Sequence, residues 1–321
     1  MELSAIYEPV NEDLDKVEDR LRSVSKVDFP YLSELLDYSL RSSGKRIRPA
    51  LTLLAGKFYD YNPDYLLMMA TAVEVLHTAT LIHDDVIDNS PIRRGRPTVY
   101  KLWGEEKAVL LGDYLFAEAG ALTASTQNLR AIKLFAETLR TISSGEINQA
   151  FYAFNLEQSR SQYFQRIAKK TASLFSMATE SAAALSQAPE ESIQILIEYG
   201  HNLGIAFQIV DDILDFIGTE EELGKPAGSD LAQGTLTLPA ILLLDYYPEE
   251  NPVERLFRSR DEPDNIKRAI ELVRNSSIVS ECYQVASDYC AKACRSLKLL
   301  PDNASRQSFF ELADYIVSRK R

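Results

Sequence analysis

The chain has 321 residues, 45% of them hydrophobic and 26% charged, with a formal net charge of −12. This is an ordinary globular composition, long enough for one large domain or two smaller ones, and its acidic balance argues against nucleic acid as a partner, since phosphate-backbone binding needs a basic surface. No uncharged apolar run of roughly 18 residues suggests a membrane span or anchor, the acidic N-terminus MELSAIYEPVNEDLDKVEDR lacks a secretory apolar core, and the sparse cysteines fit a reducing, cytoplasmic setting.

Residues from about Val10 to Val24 carry apolar side chains at helical spacing among charges, which predicts an amphipathic surface helix; Tyr31 to Leu40 repeats the pattern. Ser42, Ser43 and Gly44 then break the helix, and Pro49 is tolerable in the first turn of the next. Lys45, Arg46 and Arg48 fall at this loop-to-helix junction, where cations and free N–H groups can face an anion, unless the stretch is simply a solvated basic turn. Tyr65 to Asp88 is apolar nearly all round, as in a central helix buried by neighbours. His77 interrupts it two turns before Asp84, either as a satisfied core histidine or as a group beside a ligand. Leu110 to Ser125 and Leu129 to Phe154 are further helices, with Gly112 and Gly145 marking close helix contacts. Gln158 to Ala184 is rich in Ala and Ser and carries Lys169, Lys170 and Thr171; Glu191 to Ile217 is another long apolar helix. EELGKPAGSDLAQGTLTLPAI reads as a loop with Lys225, Gly228 and Asp230, followed by a helix from about Leu238. Cys282, Cys290 and Cys294 show no CxxC spacing and no nearby His, and read as small buried hydrophobes. The terminal SRKR is a frayed tail or a lid over an anionic ligand, and fraying is the expectation.

Two acidic motifs stand out. LIHDDVIDNSPIRRGRP places Asp84, Asp85 and Asp88 at i, i+1 and i+4, and QIVDDILDF repeats that spacing with Asp211, Asp212 and Asp215. On a helix the first and last of each trio share a face, where like charges repel. A single copy reads equally well as a solvated helix face. Both copies, however, sit in apolar sequence, and charged groups are rarely buried unless paired or metal-bound. The two trios are expected to be facing walls of one metal site. Mg2+ typically takes one or two carboxylates and completes its shell with water and substrate phosphate oxygens. Arg93 and Arg94 follow the first trio, and the guanidinium fork fits phosphate oxygens.

Taken together and in order, GKRIRP, LIHDDVID with RRGRP, AKKTASLF, FQIVDDILD and GKPAGSDLAQGTLTLP resemble the trans-isoprenyl diphosphate synthases, or polyprenyl synthetases, over roughly residues 28 to 245. The resemblance implies an all-α fold, a single domain over residues 1–321 with about a dozen helices around a deep central cavity, and a homodimer. It implies head-to-tail condensation of isopentenyl diphosphate with an allylic diphosphate, farnesyl or geranylgeranyl, assisted by three Mg2+ ions. By the same likeness, Asp84, Asp88 and Asp211 are direct metal ligands, and Asp85, Asp212 and Asp215 are secondary ligands or hold waters and lysines. Arg93, Lys170 and Lys225 contact the allylic diphosphate, with Thr171 and Gln208 close to the reacting carbon. Lys45, Arg48, His77 and Arg94 form the isopentenyl diphosphate site, and Lys169 is a solvated neighbour. Thr235 departs from the family pattern by standing where many members have a lysine, as in the medium- and long-chain branch. Ala79 and Thr80, with Leu76 one turn further down, form the floor below Asp84. With no aromatic ring at Ala79 or Thr80, and no insertion in the first acidic motif, the expected product is longer than C20, in the range C30 to C50. The alternatives are a geranylgeranyl (C20) diphosphate synthase and the catalytic subunit of a two-component synthase.

Overall fold

The computed structural model describes residues 2–41, 44–219, 226–249, 251–259 and 263–319. Two long helices organise it, and each ends in an acidic motif. The first, Pro63–Ile87, starts with Pro63 in its first turn and with the Asn62 side chain accepting from the backbone N–H groups of Asp64 and Tyr65. Residues from Leu66 to Ile82 are buried on almost every side. With a mean hydropathy of 1.5 this helix is long and apolar enough to cross a membrane. Two-thirds of that window, 67%, is buried inside the fold, as in a core helix. The charge that interrupts the apolar run, Glu74, is itself buried and bonded to Arg46 Nη1 at 2.5 Å.

The second organising helix, Glu190–Ile217, packs closely on Ser173–Leu185 because its contact face is small. A Cβ on Gly200 would come within 2.6 Å of the Phe175 carbonyl oxygen, and one on Gly204 within 2.6 Å of Ala172 Cα. Its other side packs on Ile278–Cys294, and Tyr199 reaches the C-terminal helix Ala304–Ser318 by donating to Phe309 O at 2.7 Å. Ile47–Gly56, Glu105–Ser125 and Leu129–Phe151 complete the wall around the acidic ends. Gly112 and Gly145 lie at close contacts, as expected: Gly112 makes room for the His83 ring, and Gly145 faces Lys169 and Lys170. Cys282 and Cys290 are buried, and all three thiols are free. Burial pushes Cys282 and Cys290 up to about 12, so they are poor nucleophiles.

Three local features differ from the sequence expectation. Gln158 to Ala184 is not one helix: Arg160–Ile167, opened by a capping box between Ser159 and Gln162, passes into a π-turn at Ala168–Ala172 before Ser173–Leu185. Leu129–Phe151 stops short of Phe154, whose backbone turns left-handed (φ 60°) and donates to Gly234 O at 2.9 Å. The RRGRP segment folds into a hairpin in which Ile92 pairs with Pro97 and Arg93 with Arg96. Its two-residue loop, Arg94 and Gly95, has positive φ at both positions (51° and 72°), the geometry whose twist matches antiparallel strands.

Candidate active site

Asp84 and Asp88 sit at the last turn and C-cap of the first organising helix, one turn apart as the spacing requires. Lys170 faces them from the π-turn, its Nζ 3.8 Å from Asp84 Oδ2 and 2.8 Å from Glu146 Oε1. Burial would lower the Lys170 pKa, but Asp84 and Glu146 hold it above its ordinary value. Asp85 points elsewhere. It is buried and accepts from Arg93 Nε at 2.6 Å, so Arg93 is anchored by a member of the motif it follows. Burial still pushes Asp85 up to about 6, and burial with the charge of Asp84 raises Asp88.

The second trio is held differently. Both Asp212 oxygens accept from protein donors: Tyr163 Oη to Oδ2 at 2.6 Å, and Gln208 Nε2 to Oδ1 at 2.8 Å. Thr171 Oγ1 donates to Gln208 Oε1 at 2.6 Å, extending the chain of bonds to the π-turn. Asp215 accepts from Ser229 Oγ (2.8 Å) and from the Asp230 backbone N–H (3.2 Å), so it anchors the start of the short helix Ser229–Ala232. Asp211 pairs with Arg319 Nη2 at 2.6 Å. Fraying was the expectation for this end of the chain. Arg319 is instead 7% exposed, stacked 4.0 Å over the Phe207 ring and donating to Phe207 O, because an aromatic face, a carbonyl and a carboxylate meet there. Lys320 and Arg321 lie outside the described residues.

Asp88, Lys170, Gln208 and Asp212 line one cavity open to solvent, so the acidic ends of the two helices face each other across it. Among the described residues, no three acidic or histidine side chains converge on a single point. An oxygen-only set that offers one or two carboxylates per ion suits Mg2+ arriving with a diphosphate. Electrostatics favour a cation there as well. Burial raises Asp88, Glu146 and Asp212, the charge of Asp84 adds to the first two and that of Asp230 to the third, and Asp212 reaches about 7, so a positive ion would relieve crowded negative charge.

A second cavity, of about 680 Å3, adjoins the first helix and is lined by His77, Asp85, Arg93, Arg94 and Arg46 among others. Arg48 Nη1 meets His77 Nε2 at 3.1 Å, and its guanidinium lies 4.7 Å from the Phe175 ring centroid. Burial and the charge of Arg48 lower His77 well below its ordinary value, so it is neutral and accepts from the arginine. Lys45 lies over the Tyr315 ring at 5.5 Å. Arg46 is spent on structure, bridging Glu18, Glu74 and Leu40 O. Lys169 is exposed, whereas Thr171 is buried. Lys225 lies outside the described residues. Leu76 and Ala79 are fully buried, and the Thr80 hydroxyl turns back to His77 O at 2.8 Å. Sequence reasoning missed Glu146, Tyr163, Arg166 and the role of Arg319. Only Gly145, as a close-contact glycine, drew attention to the neighbourhood of Glu146.

The fold and site define a class: an all-α enzyme with two aspartate motifs and a lysine on one cavity, and an arginine-rich cavity beside it. The polyprenyl synthetase sequence profile matches residues 29–273. Heptaprenyl diphosphate synthase component 2 of Bacillus subtilis (strain 168) is 36% identical, the match covering 100% of this chain and 92% of that protein. Chloroplastic solanesyl-diphosphate synthase 2 of Oryza sativa subsp. japonica is 36% identical over 99% of this chain and 80% of that one. Among solved structures, a polyprenyl synthase from Caulobacter crescentus CB15 complexed with calcium and isoprenyl diphosphate superposes with a TM-score of 0.95, at 35% identity, over 100% of this chain and 98% of that one. A decaprenyl diphosphate synthase from Rhodobacter capsulatus superposes with a TM-score of 0.92, at 36% identity, over the full length of both. The chain belongs to the polyprenyl synthetase family and is a prenyltransferase of the polyprenyl diphosphate synthase type.

Proposed function

We propose that this chain joins isopentenyl diphosphate head to tail with an allylic diphosphate, farnesyl or geranylgeranyl, and makes a trans-polyprenyl diphosphate of C30 to C50. The observation that carries the reading is a pair of cavities along the last turns of the first organising helix. One holds Asp88, Lys170 and Asp212, and the other His77, Arg93 and Arg94. Two anionic substrates thereby have separate but neighbouring seats. In the first, Lys170 neutralises the departing diphosphate, with Arg93 acting on it from the lining of the second, and Thr171 and Gln208 lie beside the reacting carbon. In the second, Lys45, Arg48, His77 and Arg94 hold isopentenyl diphosphate with its double bond toward the allylic end. The allylic carbon–oxygen bond breaks, the double bond attacks that carbon, and a proton lost to the departing diphosphate completes the cycle. Apolar walls keep water from the cation. Asp84, Asp88 and Asp211 would hold Mg2+, three ions per site, backed by Asp85, Asp212 and Asp215; the bound metal supplies Lewis-acid neutralisation of the leaving group.

Product length follows from the floor. Ala79 and Thr80 are small and Leu76 is aliphatic, so nothing bulky from these positions stops the growing chain within the first turns below Asp84. Relatives named for heptaprenyl, solanesyl and decaprenyl products support the same range. Incubating the purified chain with labelled isopentenyl diphosphate, farnesyl diphosphate and Mg2+, then sizing the products, tests both points. A C20 ceiling would make it a geranylgeranyl diphosphate synthase, and no turnover would sink the assignment as a self-sufficient enzyme. Ala79→Tyr should shorten the product to about C15 to C20 by filling the floor, and an unchanged spectrum would refute the floor.

A second reading has its own support. The Bacillus subtilis relative is named as component 2 of its synthase, so this chain is alternatively a catalytic subunit that needs a partner. Activity of the chain alone separates the two. A homodimer is the favoured assembly, because Val109, Leu110, Leu129, Ile132, Ile147 and Phe151 leave apolar surface exposed on Glu105–Ser125 and Leu129–Phe151. Buried free thiols suit a cytoplasmic setting.

A further inference from the structure

The cavity between the aspartate helices has a wall that the reaction described above does not use. It is built from Arg166 and from the segment between Asp230 and Thr237. Arg166 lies at the end of Arg160–Ile167, just before the π-turn that carries Lys170, and is 6% exposed. Its Nη1 donates to Gln158 Oε1 at 2.7 Å, and its Nη2 to Leu236 O at 2.5 Å. Both acceptors are neutral, so those two bonds do not balance the charge. Asp212, Asp230 and Glu146 act on it through space. A buried guanidinium is costly unless nearby anions compensate it, and here two of the three, Asp212 and Asp230, line the cavity itself.

The second observation is Thr237. It is 3% exposed, lines the same cavity, and its hydroxyl has no hydrogen-bond partner among the described residues. Buried polar groups are normally satisfied, so an orphan beside a cavity marks where a ligand atom or its water completes the bond. Arg166 fixes this hydroxyl's segment by gripping the carbonyl of the preceding residue, Leu236. From the other side, Phe154 grips Gly234 through its backbone N–H and packs over it, where a Cβ would lie 2.5 Å from the ring. Thr235, between the two grips, presents an uncharged side chain to the cavity.

We propose that Arg166 is a positioning residue for departure of the allylic diphosphate: it seats the Thr235–Thr237 segment so that the Thr237 hydroxyl faces the diphosphate, and it supplies the positive charge of that wall. The proposal rests on the prenyl-transfer reading for its ligand, a diphosphate. It predicts that charge, and not only shape, is what Arg166 contributes, and that the charge can be supplied from the facing loop.

The test uses the full chain and three variants: Arg166→Gln, Thr235→Lys, and the two combined. Calorimetric titration with inorganic pyrophosphate in the presence of Mg2+ reads binding without turnover, and steady-state kinetics read kcat/KM for each substrate. Arg166→Gln should weaken pyrophosphate binding and lower kcat/KM for the allylic diphosphate by about tenfold or more, with KM for isopentenyl diphosphate within about twofold of the parent. The double variant should regain at least half of the loss on a logarithmic scale, and by more than Thr235→Lys gains in the parent, a rescue that a purely structural role would not show. Parent-like affinity in Arg166→Gln overturns the proposal, as does an unrescued loss in a double variant that melts with the parent. Should Arg166→Gln fail to fold, Thr235→Lys alone decides. A gain in pyrophosphate affinity of less than about threefold shows that the wall is already charged, and a larger gain shows that it is not. Absence of prenyl transfer by the parent would instead sink the assigned reaction, while the pyrophosphate comparison would still report on Arg166.

Discussion

The two acidic motifs have the same spacing in sequence but not the same wiring in the structure. In the first, Asp84 lies 3.8 Å from the ammonium of Lys170, Asp88 feels that charge through space, and only Asp85 is tied down, by Arg93. In the second, Asp212 and Asp215 are bonded into the protein through Tyr163, Gln208, Ser229 and the Asp230 N–H, and Asp211 faces Arg319. A carboxylate with both oxygens already accepting can still present a lone pair to water, but its first duty is to hold its neighbours. One motif offers charge to the cavity; the other mostly builds the wall behind it. A shared spacing therefore specifies which residues meet on a helix face, while the surrounding donors decide what each residue does.

Three substitutions sharpen that contrast. Asp88→Asn should have the largest effect, lowering kcat on the order of 10³-fold with little change in melting temperature, since it removes an anion from the reacting cavity and no protein hydrogen bond. Steady-state rates with a thermal melt check this, and a near-normal rate would dismantle the open-versus-tied distinction. Asp211→Asn should cost less, on the order of 10²-fold, because Asp211 shares its charge with Arg319; a loss equal to that of Asp88→Asn would make the two motifs functionally equivalent. Asp212→Asn should act most visibly on stability. Burial pushes the Asp212 carboxyl up to about 7, from an ordinary 3.8. The unfolded chain therefore ionises first. The group begins to destabilise the fold as pH rises past about 4, and its cost levels off above about 7. Asp212→Asn turns one of the two acceptors into a donor, a loss independent of pH, so its melting temperature relative to the parent should rise between pH 4 and pH 8 without divalent metal. A shift independent of pH would show that Asp212 is neutralised by its neighbours.

Much of this was legible in the residues. Apolar flanks on both aspartate motifs implied burial, and buried carboxylates need partners, so a shared cavity followed from the sequence. The arginines after the first motif were legible as a basic cluster, and both line one cavity. Their hairpin was not, because its loop is Arg94–Gly95, and an arginine at a left-handed position does not announce that turn as Asn or Asp would. Glu146 was invisible for a different reason: one glutamate on an amphipathic helix looks like any solvated face until Lys170 is placed opposite it. Arg319 was misjudged because a basic tail is ordinarily mobile, and only tertiary structure brings Phe207 and Asp211 beneath it. The role of Tyr163 depends on a contact 49 residues away in sequence, which no local pattern encodes.

The π-turn at Ala168–Ala172 has an evolutionary corollary. A wider turn accommodates one more residue than a regular helix, so a sequence lacking one residue there would run straight through as an ordinary helix. Both flanking halves would keep their azimuth and packing, because the wider turn is what absorbs the extra residue, and the change would fall on the side chains of the turn itself. Lys170 and Thr171 would swing off Glu146 and Gln208 together, so a single-codon deletion in this stretch would uncouple both partners at once while leaving the bundle assembled.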